Sequence, residues 1–384
     1  LTEAREDVVY FAADENYLPL AWLAAQSAAA VPDRRFDVLI LLEKGAARGI
    51  RPPAGCRFLE IEIPAEIRAW PVQSHMSIFA YVRLAAPDFW LHDYRRGLYL
   101  DCDILVPGSV APLFTLELGG ALFAMAQDCG HYIRDEAERA EFAAQSAALG
   151  LDGAATYFNS GAVLTDLAQW RADGCWQRAI GYVRTHGARL RYMDQDAVNF
   201  LGRGRTREVS PRWNFQKHYF GAGLEGVIAP RIFHYINVVK PWRDPEWAAL
   251  HGDAAVKIFA DLFRRSPWPD FMPAALGGRR PFWRRRSGVV ARRKLADEVM
   301  QGHVAHYRAI TPAIHQRFRA GVAAALAAGR YADLSADEVV AWQEALTKAS
   351  SVISSDIKEG DADDECSKTG DHKPADQKPR SGIT

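Results

Sequence analysis

The sequence predicts an α/β chain, a mainly parallel sheet flanked by helices and followed by a helical C-terminal extension. Three observations carry this. Short apolar runs at Val8–Ala13, Asp37–Leu42, Arg57–Ile63 and Gly97–Leu100 alternate with helical patterns, and strands separated by helices build parallel sheets. Two of the runs end in polar clusters, Asp14-Glu15-Asn16 and Asp101-Cys102-Asp103, and open α/β sheets bind ligands beyond the carboxyl ends of their strands. Helical patterns near 290–310, 312–328 and 336–348 then close the ordered part of the chain.

In chain order, the first run leads through its polar loop into a helix from about Leu18 to Ala30. A helix over roughly Ser74–Trp90 precedes the strand that ends at Asp101. Ala121–Ala126, Tyr157–Leu164 and Arg231–Ile236 read as further strands, and Asp166–Thr185 as a helix. Asp194-Gln195-Asp196 opens an apolar helical run, Ala197–Leu201, stopped by Gly202 and Gly204. A helix around Asp253–Arg265 leads to a junction rich in Pro, Trp and Gly. The expected organisation is a catalytic domain over 1–265, a basic junction over 266–294, a helical region over 295–349 and a disordered polar tail over 350–384.

The chain has 384 residues, 47 Lys and Arg against 47 Asp and Glu, so no global charge favours nucleic acid. The basic residues are concentrated locally, with Arg279-Arg280-Pro281-Phe282-Trp283-Arg284-Arg285-Arg286 inside a cationic stretch over 279–294. Cations with interleaved aromatics suit an anionic membrane surface. The five cysteines are scattered and never spaced Cys-x-x-Cys, which fits free thiols in a reducing cytoplasm. Leu1 in place of Met points to a trimmed or partial N-terminus. No apolar stretch of about 18 residues is present to span a bilayer.

The chemistry centres on Asp101-Cys102-Asp103. Side chains alternate along a strand, so two carboxylates at i and i+2 point the same way. Hard oxygens held together suit a divalent cation, and a cation suits a diphosphate. Read alone, the pair is also compatible with solvated loop carboxylates or with the nucleophile and acid of an Asp-x-Asp phosphohydrolase. His234 can join two carboxylates around Mn²⁺ as neutral imidazole, and Lys240 can meet a phosphate as a point charge. Asp194 reads as a helix N-cap, Asn159-Ser160-Gly161 as a bend or bulge, and Arg83 as a surface ion-pair residue.

Taken in order, these segments resemble glycosyltransferase family 8, which includes bacterial lipopolysaccharide α-galactosyl- and α-glucosyltransferases and the glycogenins. The matching pieces are Phe11 through Tyr17, Tyr81-Val82-Arg83-Leu84, Leu98 through Val106, Tyr157 through Gly161, Asp194-Gln195-Asp196, and His234 through Trp242. The resemblance implies a GT-A fold and retaining transfer of a hexose from UDP-galactose or UDP-glucose to a glycan or lipid-linked saccharide. It implies that Ala12, Asp14 and Asn16 hold the uridine. Asp101, Asp103 and His234 would ligate Mn²⁺, with Mg²⁺ as the alternative. Lys240 would contact the diphosphate and Arg83 the donor side. Asn159, Asp194 and Gln195 would face the donor sugar, Gln195 nearest the anomeric carbon, with Asp128 a looser candidate on the sugar or acceptor side.

An amide is a poor nucleophile, so Gln195 would steady an oxocarbenium-like centre in a front-face departure and attack. One departure from the family pattern stands three residues after the histidine, where Asn237 replaces the usual Gly. Asn tolerates positive φ best among non-glycine residues, so the expectation is a retained loop shape with an altered diphosphate contact. The expected setting is cytoplasmic, docked peripherally on the inner membrane face in cell-surface polysaccharide assembly, without nucleic acid. Two alternatives remain open at this point, a Mg²⁺-dependent phosphohydrolase and a non-catalytic sugar-nucleotide-binding protein.

Overall fold

The computed structural model describes residues 6–72, 77–151, 153, 156–236, 239–244, 246–272 and 289–348, with backbone only at 289–300 and 303. Asn237, the basic stretch up to residue 288 and the tail from 349 lie outside the described residues. Seven strands form the main sheet: β1 (Asp7–Ala12), β2 (Asp37–Glu43), β3 (Arg57–Ile61), β4 (Arg96–Leu100), β6 (Phe123–Gln127), β7 (Phe158–Asp166) and β8 (Thr206–Glu208). Their order is β3-β2-β1-β4-β7-β6-β8. β7 runs antiparallel to both neighbours and the remaining pairs are parallel. The short strands β5 (Ile104–Leu105), β9 (Phe215–Gln216) and β10 (Phe233–His234) make a second sheet in the order β5-β10-β9.

The period of two along each strand divides the core between two layers. In β1, Val8, Tyr10 and Ala12 pack on one face with Leu39, Leu41 and Tyr99. Val9, Phe11 and the following Ala13 pack on the other with Val38, Ile40, Leu98 and Leu100. A sheet covered on both faces needs near-continuous apolar strands, which is why β1 and β2 read as unbroken runs rather than alternations.

Several expected elements differ in extent. The helix expected over 74–90 is a 3₁₀ turn, Ile78–Tyr81, followed by a helix over Val82–Phe89; residues 74–76 lie outside the described residues. The helix expected over 166–185 is two, Leu167–Ala172 and Cys175–His186, because Gly174 between them adopts φ +57°, a left-handed conformation that glycine takes without steric cost. The strand expected over 231–236 pairs only at Phe233–His234. Two C-terminal helical patterns are one helix, Val289–Ala327, with Pro312 inside it. The next helix spans 336–348 and starts with a reciprocal cap between Ser335 and Glu338. The long helix packs Ile314, Phe318 and Val322 against Tyr132, Phe215 and Tyr219, so the C-terminal helices seal the end of the small sheet. Among the described residues no helix is long and apolar enough to cross a membrane.

Candidate active site

The site forms where the two sheets meet. β4 ends at Leu100, and Asp101-Cys102-Asp103 bridges to β5. β10 pairs antiparallel with β5, with His234 opposite Ile104, and the Tyr235 amide donates to the Asp103 carbonyl at 2.9 Å. That register sets His234 beside both carboxylates. Its Nε2 lies 3.2 Å from Asp103 Oδ1 and 3.6 Å from Asp101 Oδ2, and one ligand atom from each residue falls within 4.8 Å of the others.

β9 lies on the other side of β10, and Asn214 just before it accepts through Oδ1 from His234 Nδ1 at 2.9 Å. An amide oxygen can only accept, so Nδ1 carries a proton and Nε2 is the nitrogen turned to the carboxylates. Two hard oxygens and one imidazole nitrogen fit a divalent ion of the Mn²⁺ or Mg²⁺ kind. Gly161 leaves the room: a Cβ there would stand 2.1 Å from His234 Cε1 and 2.8 Å from Asp101 Oδ2.

Each carboxylate is also tied to a cation. Lys240 Nζ lies 2.5 Å from Asp103 Oδ2. Burial by itself would raise the Asp103 carboxyl, but Lys240 and His234 outweigh it and hold the group well below the usual carboxylate range. Arg83, expected at the surface, is buried. Its Nη2 lies 2.8 Å from Asp101 Oδ1 and its Nε 3.0 Å from Asp194 Oδ2. Nη1 donates to the Ser160 carbonyl, and the guanidinium carbon sits 3.7 Å over the Tyr99 ring.

Asp194 is the first residue of the helix Asp194–Leu201 and does not cap it; that place belongs to Met193, at φ +46°. The Asp194 carboxyl turns inward to Arg83. Burial pushes it up to about 7 even against the Arg83 charge, and Asp101 adds in the same direction. Asp196 Oδ2 instead receives the Arg191 and Tyr192 amides at 2.7 and 2.9 Å, closing the turn that Met193 strains.

A second knot of amides adjoins the carboxylates. β7 pairs with β4, so Asp101 N donates to the Gly161 carbonyl at 2.8 Å and Asn159 and Ser160 stand beside the cluster. Asn159 Nδ2 donates to Asp128 Oδ2 at 2.9 Å and to Gln195 Oε1 at 3.2 Å. Gln195 Oε1 also takes the Ser160 amide at 3.0 Å, and Asn214 Nδ2 donates to Asn159 Oδ1 at 2.7 Å. Asn214 thus connects the imidazole to the amide knot.

At the end of β1, Ala12 is buried and its carbonyl accepts from Cys102 Sγ at 3.4 Å. Asp14 Oδ1 receives the Asn16 and Tyr17 amides, both at 2.9 Å, shaping the loop before the helix Leu18–Ala29. Tyr17 leaves 41% of its surface exposed there. The structure therefore brings Asp101, Asp103, His234, Lys240, Arg83, Asn159, Asp194, Gln195 and Asp128 into one connected network, with Ala12, Asp14 and Asn16 at its β1 edge. Sequence reasoning missed Asn214, Tyr17 and the buried Lys217, whose Nζ donates to the Val239 carbonyl at 3.1 Å.

This fold, with its polar cluster at the strand ends, is the GT-A architecture. The chain belongs to glycosyl transferase family 8, whose family model matches residues 8–246. It is similar to the lipopolysaccharide glucosyltransferase WaaO of Escherichia coli (strain K12), 30% identical over 210 residues, 53% of this chain and 59% of that one. It is also similar to the lipopolysaccharide 1,3-galactosyltransferase of Salmonella typhimurium, 26% identical with the same coverage. The chain spans about three fifths of the length of the curated relatives it matches. Among solved structures, the galactosyltransferase LgtC in complex with donor and acceptor sugar analogues superposes with a TM-score of 0.55 at 25% identity, covering 68% of this chain and 96% of that one.

Proposed function

We propose that this chain transfers a hexose from a UDP-sugar to a saccharide acceptor with retention of anomeric configuration. The observation that carries the reading is the convergence of Asp101, Asp103 and His234 within 4.8 Å beside the fixed amide of Gln195. Asp101, Asp103 and His234 would hold Mn²⁺, which when bound neutralises the diphosphate and the charge that grows on it as UDP leaves. Lys240, beside Asp103, would add a second positive charge to that diphosphate. Arg83, whose guanidinium is spent on Asp101, Asp194 and the Ser160 carbonyl, acts as a positioning residue that holds both carboxylates in place.

The exposed ring of Tyr17 offers a stacking face to the uracil, next to Asp14 and Asn16. Gln195 is held through Oε1 by Ser160 N and Asn159, so it presents a preset dipole rather than a nucleophile. This supports front-face departure and attack without a glycosyl-enzyme. The match of residues 8–246 to glycosyl transferase family 8 favours the transferase over the phosphohydrolase alternative. The two lipopolysaccharide relatives, one glucosyl and one galactosyl, match over the same share of the chain; the donor is accordingly proposed as UDP-glucose or UDP-galactose. Cytoplasmic placement on the inner membrane face follows from the same reading.

The test is UDP release from a panel of UDP-hexoses with Mn²⁺. Release from one donor, abolished by EDTA and by Asp103→Ala, supports the reading and identifies the sugar. Binding of UDP and Mn²⁺ without release, even with saccharide acceptors added, turns it toward a sugar-nucleotide-binding protein.

A further inference from the structure

Asn214 is fully buried just ahead of β9 and uses both ends of its amide inside the site. Its Oδ1 accepts from His234 Nδ1 at 2.9 Å, and its Nδ2 donates to Asn159 Oδ1 at 2.7 Å. His234 belongs to the carboxylate cluster proposed to hold the metal. Asn159 stands on β7 against Gln195, on the side proposed for the donor sugar. One short side chain therefore touches both halves of the site.

The direction of this connection is fixed by the backbone, because a peptide N–H can only donate. Gly161 N donates to Asn159 Oδ1 at 3.0 Å, which identifies that atom as the oxygen. The other end, Nδ2, then donates to Asp128 Oδ2 and Gln195 Oε1. Ser160 N donates to Gln195 Oε1 at 3.0 Å, and this demands the same orientation of Asn159 independently. Asn159 thus presents an acceptor to residue 214, and only a donor there completes the pair. That leaves the Asn214 oxygen for the imidazole, which keeps a proton on Nδ1 and turns Nε2 to Asp101 and Asp103. Two consecutive backbone amides, relayed through Asn159 and Asn214, select the nitrogen of His234 that a metal would meet.

The segment carrying Asn214 is itself pinned on both sides. Trp213 Nε1 donates to Asp333 Oδ2 at 2.8 Å. Gln216, also fully buried, takes the Cys129 amide at 2.8 Å and donates to the Gln127 carbonyl at 2.9 Å.

We propose that Asn214 is a positioning residue that couples the metal ligand His234 to the sugar-facing amides Asn159 and Gln195. Its sugar half rests on the transferase reading, and its metal half on the Asp101, Asp103 and His234 cluster alone. Partners that fix the second nitrogen of a ligating histidine typically change metal affinity or activity by about 10- to 100-fold when lost.

Two variants separate the halves. Asn214→Leu removes both hydrogen bonds at similar volume. Asn214→Asp keeps an acceptor for Nδ1, and a carboxylate there makes a ligating imidazole more basic, but it sets an oxygen against Asn159 Oδ1. Gln216→Met is the control, deleting an equally buried amide that lies off the path to His234. Mn²⁺ affinity is read by electron paramagnetic resonance, and UDP release from UDP-glucose and UDP-galactose at saturating Mn²⁺, on proteins with matching circular dichroism.

The expected result for Asn214→Leu is Mn²⁺ affinity lowered about tenfold or more. Asn214→Asp should bind Mn²⁺ at least as tightly as the unsubstituted protein, yet release UDP with kcat lowered about tenfold or more. Gln216→Met should keep its Mn²⁺ affinity. A purely structural role would lower both readouts together. Unchanged Mn²⁺ affinity in Asn214→Leu, weakened affinity in Asn214→Asp or in the control, or full turnover in Asn214→Asp overturns the inference. Absence of UDP release from the unsubstituted protein counts against the transferase reading instead, and the three Mn²⁺ affinities then decide whether Asn214 positions His234.

Discussion

Gly161 lies against His234 with no room for a side chain, since a Cβ on it would stand 2.1 Å from the imidazole Cε1. Real Cβ contacts do not approach that distance, so Gly161→Ala must displace the imidazole or the strand. Displacing one of the three proposed ligands should lower metal affinity more than stability, because β7 keeps its pairing with β4 and β6. The expected outcome is Mn²⁺ affinity reduced roughly 10- to 100-fold, the range that disturbed ligand orientation produces, with the circular dichroism spectrum retained. Titration of Mn²⁺ followed by electron paramagnetic resonance reads this directly, and unchanged affinity would refute the role given to Gly161.

Arg83 joins two carboxylates that the chain supplies from separate elements, Asp101 after β4 and Asp194 at a helix start. Arg83→Met keeps much of the side-chain volume and removes the charge, leaving Asp194 buried without its counterion. Breaking a buried pair from one side costs about 3–5 kcal/mol, which urea unfolding measures as a lower midpoint. The sign with pH follows from Asp194. Its folded pKa, pushed up to about 7 by burial, lies above its ordinary value of 3.8, and losing Arg83 raises it further. Above that ordinary value the unfolded chain ionises the group at no cost while the folded one resists. Below about 7 both folded proteins keep the Asp194 proton, so this part of the deficit is flat there; it grows as pH rises above about 7, where only the unsubstituted protein ionises Asp194 beside Arg83, and a pH-independent deficit would contradict the assignment.

The sheet and the carboxylate pair were legible because their signals are local. An apolar run of five or six residues identifies a strand, and the strand period pointed to Asp101 and Asp103 as a pair, although the two stand in the turn between β4 and β5. His234 and Gln195 were reached through an ordered set of short motifs rather than through any local pattern. Asn214 was not reached at all: nothing around Trp213-Asn214-Phe215 separates a buried amide that orients an imidazole from a loop residue. Its role arises from the pairing of β9 with β10, a contact between segments about 20 residues apart. Arg83 was read as exposed for a related reason, since the rotation of its helix against β4 is set by packing. Separate helices were expected near 290–310 and 312–328, yet one helix, Val289–Ala327, continues through Pro312, held by the burial of Ile314, Phe318 and Val322 on one face.

Lys217 is an ammonium in the wrong solvent. It follows β9, only 3% exposed, with Nζ on the Val239 carbonyl at 3.1 Å and 5.6 Å above the Trp247 ring. Burial pulls its pKa down to about 7, and the nearby Lys240 charge pulls the same way. The unfolded chain holds this proton up to about 10.5. Between those limits the unfolded state binds more protons than the folded one, so stability from this group rises with pH, by at most ~1.4 kcal/mol per unit. Below about 7 both states are protonated and the full penalty of a buried charge is present. Lys217→Met removes that penalty along with one hydrogen bond. Its urea midpoint should therefore gain most on the unsubstituted protein at pH 6.5, and the gap should close steadily toward pH 10. Profiles that run parallel over this range would show that Lys217 keeps an ordinary pKa in the fold.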